Sequence, residues 1–474
     1  MGERSPALLW FRRDLRLSDH PALATALAGG GPVILVFIRD AQLDRHGAAA
    51  KWRLGLSLAA LSARLEAIGN RLILRTGPAL ETLRAVIAET GARAVHWSRL
   101  YDPESIARDR QVKAALTAEG IAARSHHGHV IFEPWTVQTG AGGFYRVFSP
   151  MWRAVRGREV AAPLPAPQRI PAPAQWPESE SLESWRLGAA MMRGAAVCRP
   201  YQRVGERAAQ ERLSWFVETA LAAYPTHRNL PAEDGCSGLS ENLTYGEISP
   251  RQCWHAGDGA LQRGNPGAEA WLRELAWREF AWHLAFHSPE ILVRNWRQGW
   301  DGFPWESDAE SPAVLRWKQG RTGVPFVDAA MREMYVTGKM HNRARMAAAS
   351  YLTKHMLVHW KIGCDWFADC LTDWDGASNA MGWQWVAGCG PDAAPFFRIF
   401  NPATQAAKFD PEGRYRRRWI AEGQQAPPRT ALAFFDAVPR RWGLSPDAPS
   451  PEGAIVGLAE GRARALAAYQ AQRR

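Results

Sequence analysis

The sequence predicts an α/β domain followed by an all-α domain, with a long linker between them. Three observations carry that expectation. Residues 1–130 alternate short apolar runs with helical patterns, residues 131–204 lose this rhythm, and residues 205–474 read as helix and hold most of the tryptophan. At 474 residues the chain is too long for one ordinary core, so two or three domains are expected.

In the first segment the strand-like runs are ALLWF (7–11), VILVFI (33–38), RLILR (71–75), AVHWS (94–98) and IAARS (121–125). Helical patterns such as AAKWRLGLSLAALSARLEAIG and ALETLRAVIAETG lie between them, and the second ends at Gly91, where a C-cap glycine belongs. Strands alternating with helices argue for a doubly wound parallel sheet of Rossmann-like shape. The G-x-G-x-x-G fingerprint is absent. The triple glycine Gly29–Gly31 precedes a strand and reads as a helix-to-strand turn, so the usual nucleotide site is not expected.

The stretch AAPLPAPQRIPAPAQWPESESLESW is dense in Pro, Ala and Glu and reads as an extended interdomain connection. From about residue 205 the pattern is helical, with loops at GCSGLSENL and around Pro304–Pro312, and no internal repeat.

Net charge is +11 and the pI is near 9.6, which favours a polyanionic partner. Of 23 tryptophans, 14 lie from Trp271 onward. Indoles mostly fill cores, but they also stack on bases and flavins and can be oxidised by one electron. The six cysteines form no C-x-x-C pair, so reduced thiols are expected, with neither a disulfide framework nor a zinc site. The N-terminus MGERSPALLWF carries no apolar stretch long enough for a signal peptide, and no apolar run reaches 18 residues. A soluble, cytoplasmic protein with no membrane span is expected.

Four stretches could carry chemistry. In WLRELAWREFAWHL (271–284), Glu274, Trp277 and Arg278 share one face of a helix. They read as a Glu–Arg surface pair beside a core tryptophan, or as an aromatic platform with a carboxylate acceptor for a base. In TGKMHNRARM (337–346), His341 and Arg345 share a helical face, as do Asn342 and Met346, while Arg343 points elsewhere. The scarcity of acid there favours anion binding over a merely solvated face.

In LTDWDGASNAMGWQW (371–385), Asp373 and Asp375 are candidate metal ligands or arginine partners, with no His or Cys near enough to complete a metal set. Trp383 and Trp385 lie roughly 200° apart on a helix, so one can face inward and the other a cleft. The loop PAEDGCSGLSENLTYGEISPR (231–251) could cradle phosphate or be an ordinary surface loop.

Together these stretches resemble the photolyase/cryptochrome family over nearly the whole chain. The likeness opens with LLWFRRDLRLSDHPAL and becomes dense in ELAWREF, GVPFVDAAMREMYVTGKMHNRARM and GWQWVAGCGPDAAPFFRIFNPATQAAKFD. It is nearest to the class I photolyases acting on cyclobutane pyrimidine dimers. The resemblance implies FAD in the helical domain, active as its reduced anion, and UV-damaged DNA as partner, with the protein acting as a monomer. Light-driven electron transfer to a flipped-out dimer needs proximity, a dry pocket and redox poise more than acid–base groups.

By this resemblance the flavin site comprises Tyr224, the loop Ser237, Gly238, Leu239 and Ser240, and Trp271, Arg278, Asn342, Arg345, Asp373, Asp375 and Asn379. Arg345 and Asp373 would pair beside the flavin ring, and Asn379 would face its N5. The lesion would contact Glu274, Trp277, Asn342, Met346 and Trp385, and Arg228, Arg343 and Arg398 would grip backbone phosphates. Trp383, Trp360 and Trp305 match the electron-transfer chain from the flavin to the surface, with Trp300 as the alternative outer end.

Asn342 directly after His341 resembles dimer-specific enzymes, whereas (6-4) photolyases carry two consecutive histidines here. A blue-light receptor of the cryptochrome type is the alternative function, and (6-4) repair another. Lys339 stands where tryptophan is common, and Cys236 and Gly238 replace the usual Thr and Arg of the phosphate loop. The segment YDPESIARD lacks the Asn-Glu pair that folate-binding relatives use. A deazaflavin, another flavin or no antenna at all are the remaining options.

Overall fold

The structure, a computed structural model, describes residues 5–392, 397–448 and 453–472. Five strands, β1 (Ala7–Phe11), β2 (Val33–Arg39), β3 (Leu72–Thr76), β4 (Ala94–Ser98) and β5 (Ala122–His126), form one sheet in the order β3-β2-β1-β4-β5. Every ladder in it is parallel. Each strand begins within one residue of the apolar run that predicts it.

Alternate residues serve two cores. Leu9, Phe11, Leu35 and Phe37 face one side, together with Leu54, Leu58, Leu61 and Leu65 of helix Ala48–Glu66. Leu8, Trp10, Ile34 and Val36 face the other, against Leu83 and Val86 of helix Ala79–Thr90 and Val112 and Leu116 of helix Pro103–Ala118. A parallel sheet buried on both faces needs no polar alternation, which is why its strands read as unbroken apolar runs. Gly91 caps its helix in the left-handed region at φ 66°, and Gly29–Gly31 turn the end of helix Pro21–Ala28 into β2.

Residues 156–182 form no regular element. Hydrogen bonds of 2.9 Å from the Val33 amide to the Pro171 carbonyl and from the Glu180 amide to the Leu74 carbonyl fasten this stretch to the sheet. Ahead of it, helix Phe148–Val155 buries Phe148, Met151, Trp152 and Val155, one helical stripe, in a core shared with Trp254, Trp271 and Phe280. That helix therefore packs with the helical half.

The halves are clamped by charge that is fully paired. Arg53 of helix Ala48–Glu66 meets Glu247 at 2.7 and 3.0 Å with both side chains wholly buried. Tyr245 donates its hydroxyl to the Ala50 carbonyl at 3.0 Å. These contacts fix the short helix Ser240–Tyr245 and the loop before it against the α/β half. Among the described residues no helix is long and apolar enough to cross a membrane.

Candidate functional site

The long helix Ala268–His287 carries Trp271, Glu274, Trp277 and Arg278. Its apolar residues run nearly all round because it is buried between neighbours. Glu274 does not pair with Arg278 one turn on. Its Oε1 accepts Arg228 Nη1 at 2.6 Å. Arg278 Nη1 donates to the His129 carbonyl at 2.9 Å and lies 3.3 Å from Glu279, while its buried Nη2 finds no partner among the described residues. Glu279 accepts the Ile131 and Phe132 amides at 2.7 and 3.1 Å, and burial pushes its carboxyl up to about 7.

Trp271 is almost wholly buried, its ring 5.0 Å from Phe216. Trp277 stacks face-on against Phe148, with centroids 3.7 Å apart and planes 9° apart. One face of this indole is thus taken by a residue from the segment expected to be linker.

Helix Asn342–Ser350 begins after His341, which is its N-cap and accepts the Arg343 amide on Nδ1 at 3.2 Å. His341 and Arg345 therefore do not share a face of one helix, contrary to the spacing argument. Burial lowers the His341 imidazole to about 4, so it is neutral at pH 7 and no proton donor by default. Arg345 Nη2 meets Asp373 at 2.8 and 3.0 Å, and its Nε donates to the Met340 carbonyl at 2.7 Å. Asn342 is exposed at the start of the helix. Arg343 reaches the Asn229 side-chain oxygen at 2.6 and 2.9 Å and the Met346 sulfur at 3.9 Å.

Asp373 also accepts the Ser240 hydroxyl at 2.7 Å, which ties the 231–251 loop to Arg345. Asp375 is the N-cap of helix Gly376–Ala387 and accepts the Ser378 amide at 2.8 Å and the Trp282 indole at 3.0 Å. Among the described residues no group of three His, Cys, Asp or Glu could hold a metal. The two aspartates act as an arginine partner and a cap. Asn379 donates through Nδ2 to the Cys364 carbonyl at 3.0 Å, and no protein donor reaches its Oδ1 among the described residues.

Trp383 is buried, whereas Trp385 is half-buried, as their angular separation predicts. Trp385 donates to the Asp392 carbonyl at 3.2 Å and stacks on Phe400 at 5.8 Å, with the Arg398 guanidinium 5.7 Å from its ring. Residues 393–396 of this motif lie outside the described residues.

In the loop before helix Ser240–Tyr245, the amides of Ser237, Gly238, Leu239 and Ser240 donate to no protein acceptor among the described residues. Arg212 holds the loop from behind, donating to the Cys236 and Ser237 carbonyls at 2.7 Å each and to Asp234 at 2.5 and 2.9 Å. Four amides free on one turn, beside serine hydroxyls, suit a phosphate-bearing cofactor. Tyr224 lies under this region, buried, with the Arg228 guanidinium 5.2 Å from its ring. Lys339 is committed to Glu241 at 2.5 Å and to the Tyr201 carbonyl at 3.0 Å.

Of the three tryptophans of the expected chain, Trp383 and Trp360 are both buried and Trp305 is partly exposed. Trp383 meets Phe367 edge-on at 4.8 Å and rests on Gly363 of helix Trp360–Cys370, where a Cβ would sit 2.1 Å from its ring. Trp360 heads that helix, wholly buried, with its indole donating to Asn295 at 2.8 Å. His359 bridges onward, 5.6 Å from Trp360 and 5.0 Å from Trp305. Trp305 is half-buried and stacks on the more buried Trp300 at 5.6 Å. Hydrogen bonds from the Glu306 amide to the Leu357 carbonyl (2.7 Å) and from the His359 amide to the Glu306 carbonyl (2.9 Å) hold this loop in place.

Two family patterns match the chain. DNA photolyase covers residues 7–169, and the FAD binding domain of DNA photolyase covers residues 271–471. The deoxyribodipyrimidine photo-lyase of Agrobacterium fabrum is 44% identical over 98% of both chains. The chain belongs to the photolyase/cryptochrome family.

Cryptochrome-2 of Arabidopsis thaliana is 35% identical over 89% of this chain and 71% of its own length. A crystal structure of a class III photolyase from Agrobacterium tumefaciens superposes with a TM-score of 0.90 at 43% identity, covering 100% of this chain and 98% of that one. The likeness of the motifs is to class I, whereas this relative of known structure is class III. Family membership also gives the matched helical region its description as an FAD-binding domain.

Three contributors escaped sequence reasoning. Arg212 is a charge without a motif around it, and Glu279 sits inside ELAWREF, where Glu274, Trp277 and Arg278 drew the reading away from it. Phe148 had a signal, the apolar stripe in FSPMWRAV, hidden by the low-order stretch that follows.

Proposed function

We propose that this chain is a light-driven repair enzyme for cyclobutane pyrimidine dimers in DNA, with FAD held in its helical half. The observation that carries the reading is the array Arg345–Asp373–Ser240 beside four unpaired loop amides, with Trp277 and Trp385 among its neighbouring elements. The 44% identity to a deoxyribodipyrimidine photo-lyase supports the substrate class. FAD, when bound and reduced, supplies one electron on blue-light excitation and takes it back after the dimer opens.

The chain's residues bind and orient. The Ser237–Ser240 amides take phosphate oxygens, and Arg345 and Asp373 hold the ring's polar edge. Asn379, anchored on Cys364 through Nδ2, presents Oδ1 as an acceptor without adding negative charge. Glu274 and Asn342 offer hydrogen-bond partners to the lesion, Trp277 and Trp385 offer apolar rings, and Met346 fills beside them. Arg228, Arg343 and Arg398 supply charge to flanking phosphates. Trp383, Trp360 and Trp305 pass an electron inward, and the greater exposure of Trp305 supports it over Trp300 as the outer end.

The neutral His341, followed by Asn342 and not by a second histidine, supports dimer repair over (6-4) repair. The class III likeness supports placing the chain in that class, in place of class I. For domains we keep 1–130 and 205–474, and of the 131–204 segment we assign helix Phe148–Val155 to the helical unit. The test is binding: protein loaded with FAD should prefer an oligonucleotide with one thymine dimer over the undamaged strand by a hundredfold or more. Equal affinity for both strands would sink the repair reading and favour a receptor.

A further inference from the structure

Among the described residues, the turn that offers its amides has one cation beside it without an ion-pair partner. Gly238 sits at φ 65°, and around the point where a Cβ would stand are Arg212 Nε and Nη2 at 3.4 Å and Arg203 Nη1 at 3.6 Å. Arg212 is spent on Asp234 and on two loop carbonyls. Among the described residues Arg203 has no carboxylate within ion-pair distance of its guanidinium, and its neighbours Asp234 and Glu241 are taken by Arg212 and Lys339.

The Arg203 backbone is fixed although its side chain is exposed. Its carbonyl accepts Arg53 Nη2 at 3.0 Å and Asn242 Nδ2 at 2.9 Å, and both donors also bind the buried Glu247. The clamp that joins the two halves thus aims an arginine across the glycine gap of the loop. A larger side chain at position 238 would crowd the two guanidinium groups.

We infer that Arg203 is a cofactor-positioning residue whose guanidinium would pair with the diphosphate of FAD beside the loop amides. This rests on the flavin reading above. A diphosphate brings two negative charges to a turn whose own charges are balanced. An arginine fork matches two phosphate oxygens, and a guanidinium is weakly hydrated, so giving up its water to a phosphate costs little. It also accounts for a chain that has glycine at 238 and still keeps charge beside the loop.

Titration of the apoprotein with FAD, followed by quenching of flavin fluorescence, tests this in wild type, Arg203→Ala, Arg203→Lys and Arg207→Ala. Arg207, exposed and paired with Glu211, is the control. Arg203→Ala should weaken FAD binding by about ten- to a hundredfold, from the loss of charge-assisted hydrogen bonds. Arg203→Lys should lose less, and Arg207→Ala nothing. Raising NaCl should weaken wild type more steeply than Arg203→Ala, a difference that a purely structural role would not produce. FAD binding by Arg203→Ala within twofold of wild type, or an unchanged salt dependence, would overturn the inference. Failure of wild type itself to bind FAD would overturn the flavin reading and this inference with it.

Discussion

Arg345 and Asp373 meet through one guanidinium nitrogen, 2.8 and 3.0 Å from the two carboxylate oxygens, and the same carboxylate accepts Ser240 at 2.7 Å. Three segments far apart in sequence are joined at that point. Asp373→Asn leaves Arg345 without its counter-charge in a partly buried place. The variant should lose about 3 kcal/mol of stability, as broken buried pairs do, and should release FAD on gel filtration. A melting curve and flavin absorbance read both effects.

Trp383 depends on the absence of a side chain at 363. Gly363→Ala would place a Cβ 2.1 Å from the indole, against two packed helices that cannot both yield. Overpacking of this kind costs about 1–3 kcal/mol. The variant should photoreduce its flavin more slowly, because the indole is displaced. Trp383→Phe should abolish photoreduction of oxidised protein yet leave repair by chemically reduced protein intact, as measured by flash absorption and product analysis.

Glu279 makes stability depend on pH. Its carboxyl is buried and pushed from 4.5 up to about 7, chiefly by burial. Between these values the folded state holds a proton that the unfolded state has lost. The contribution is therefore fully present below about 4.5 and is lost as pH rises through about 7. Urea titrations at pH 5, 6, 7 and 8 should show this fall, and Glu279→Gln should flatten it.

Trp277 and Trp385 stand on different helices and present different surfaces. One face of Trp277 is covered by Phe148, which leaves its other face and its edge for a ligand, while Trp385 is braced by Phe400. Replacing either by alanine should reduce the preference for dimer-containing over intact DNA by about 1–3 kcal/mol, the worth of one base–aromatic stack. Competition binding with matched strands measures it.

Legibility in the sequence followed the physics of each element. The five strands were readable because a sheet covered on both faces demands continuous apolar runs, and Gly91 was readable because a helix that ends in a left-handed residue favours glycine there. The opposite fates of Trp383 and Trp385 followed from helical angle alone. Pairings between distant segments left no local trace. Glu274 chose Arg228, 46 positions away, over Arg278 one turn on. His341 sat in helical spacing yet became a cap, because its ring satisfies the Arg343 amide. Phe148 was masked because burial of an eight-residue helix cannot be seen from a proline-rich neighbourhood.

The measurement that tests the central claim most directly is product analysis of two oligonucleotides after blue light with chemically reduced, FAD-loaded protein. One carries a single thymine cyclobutane dimer and the other a single (6-4) photoproduct. The account predicts intact thymines from the first strand in light, none in darkness, and no change in the second. An unrepaired dimer in the presence of fully reduced, bound FAD would contradict it.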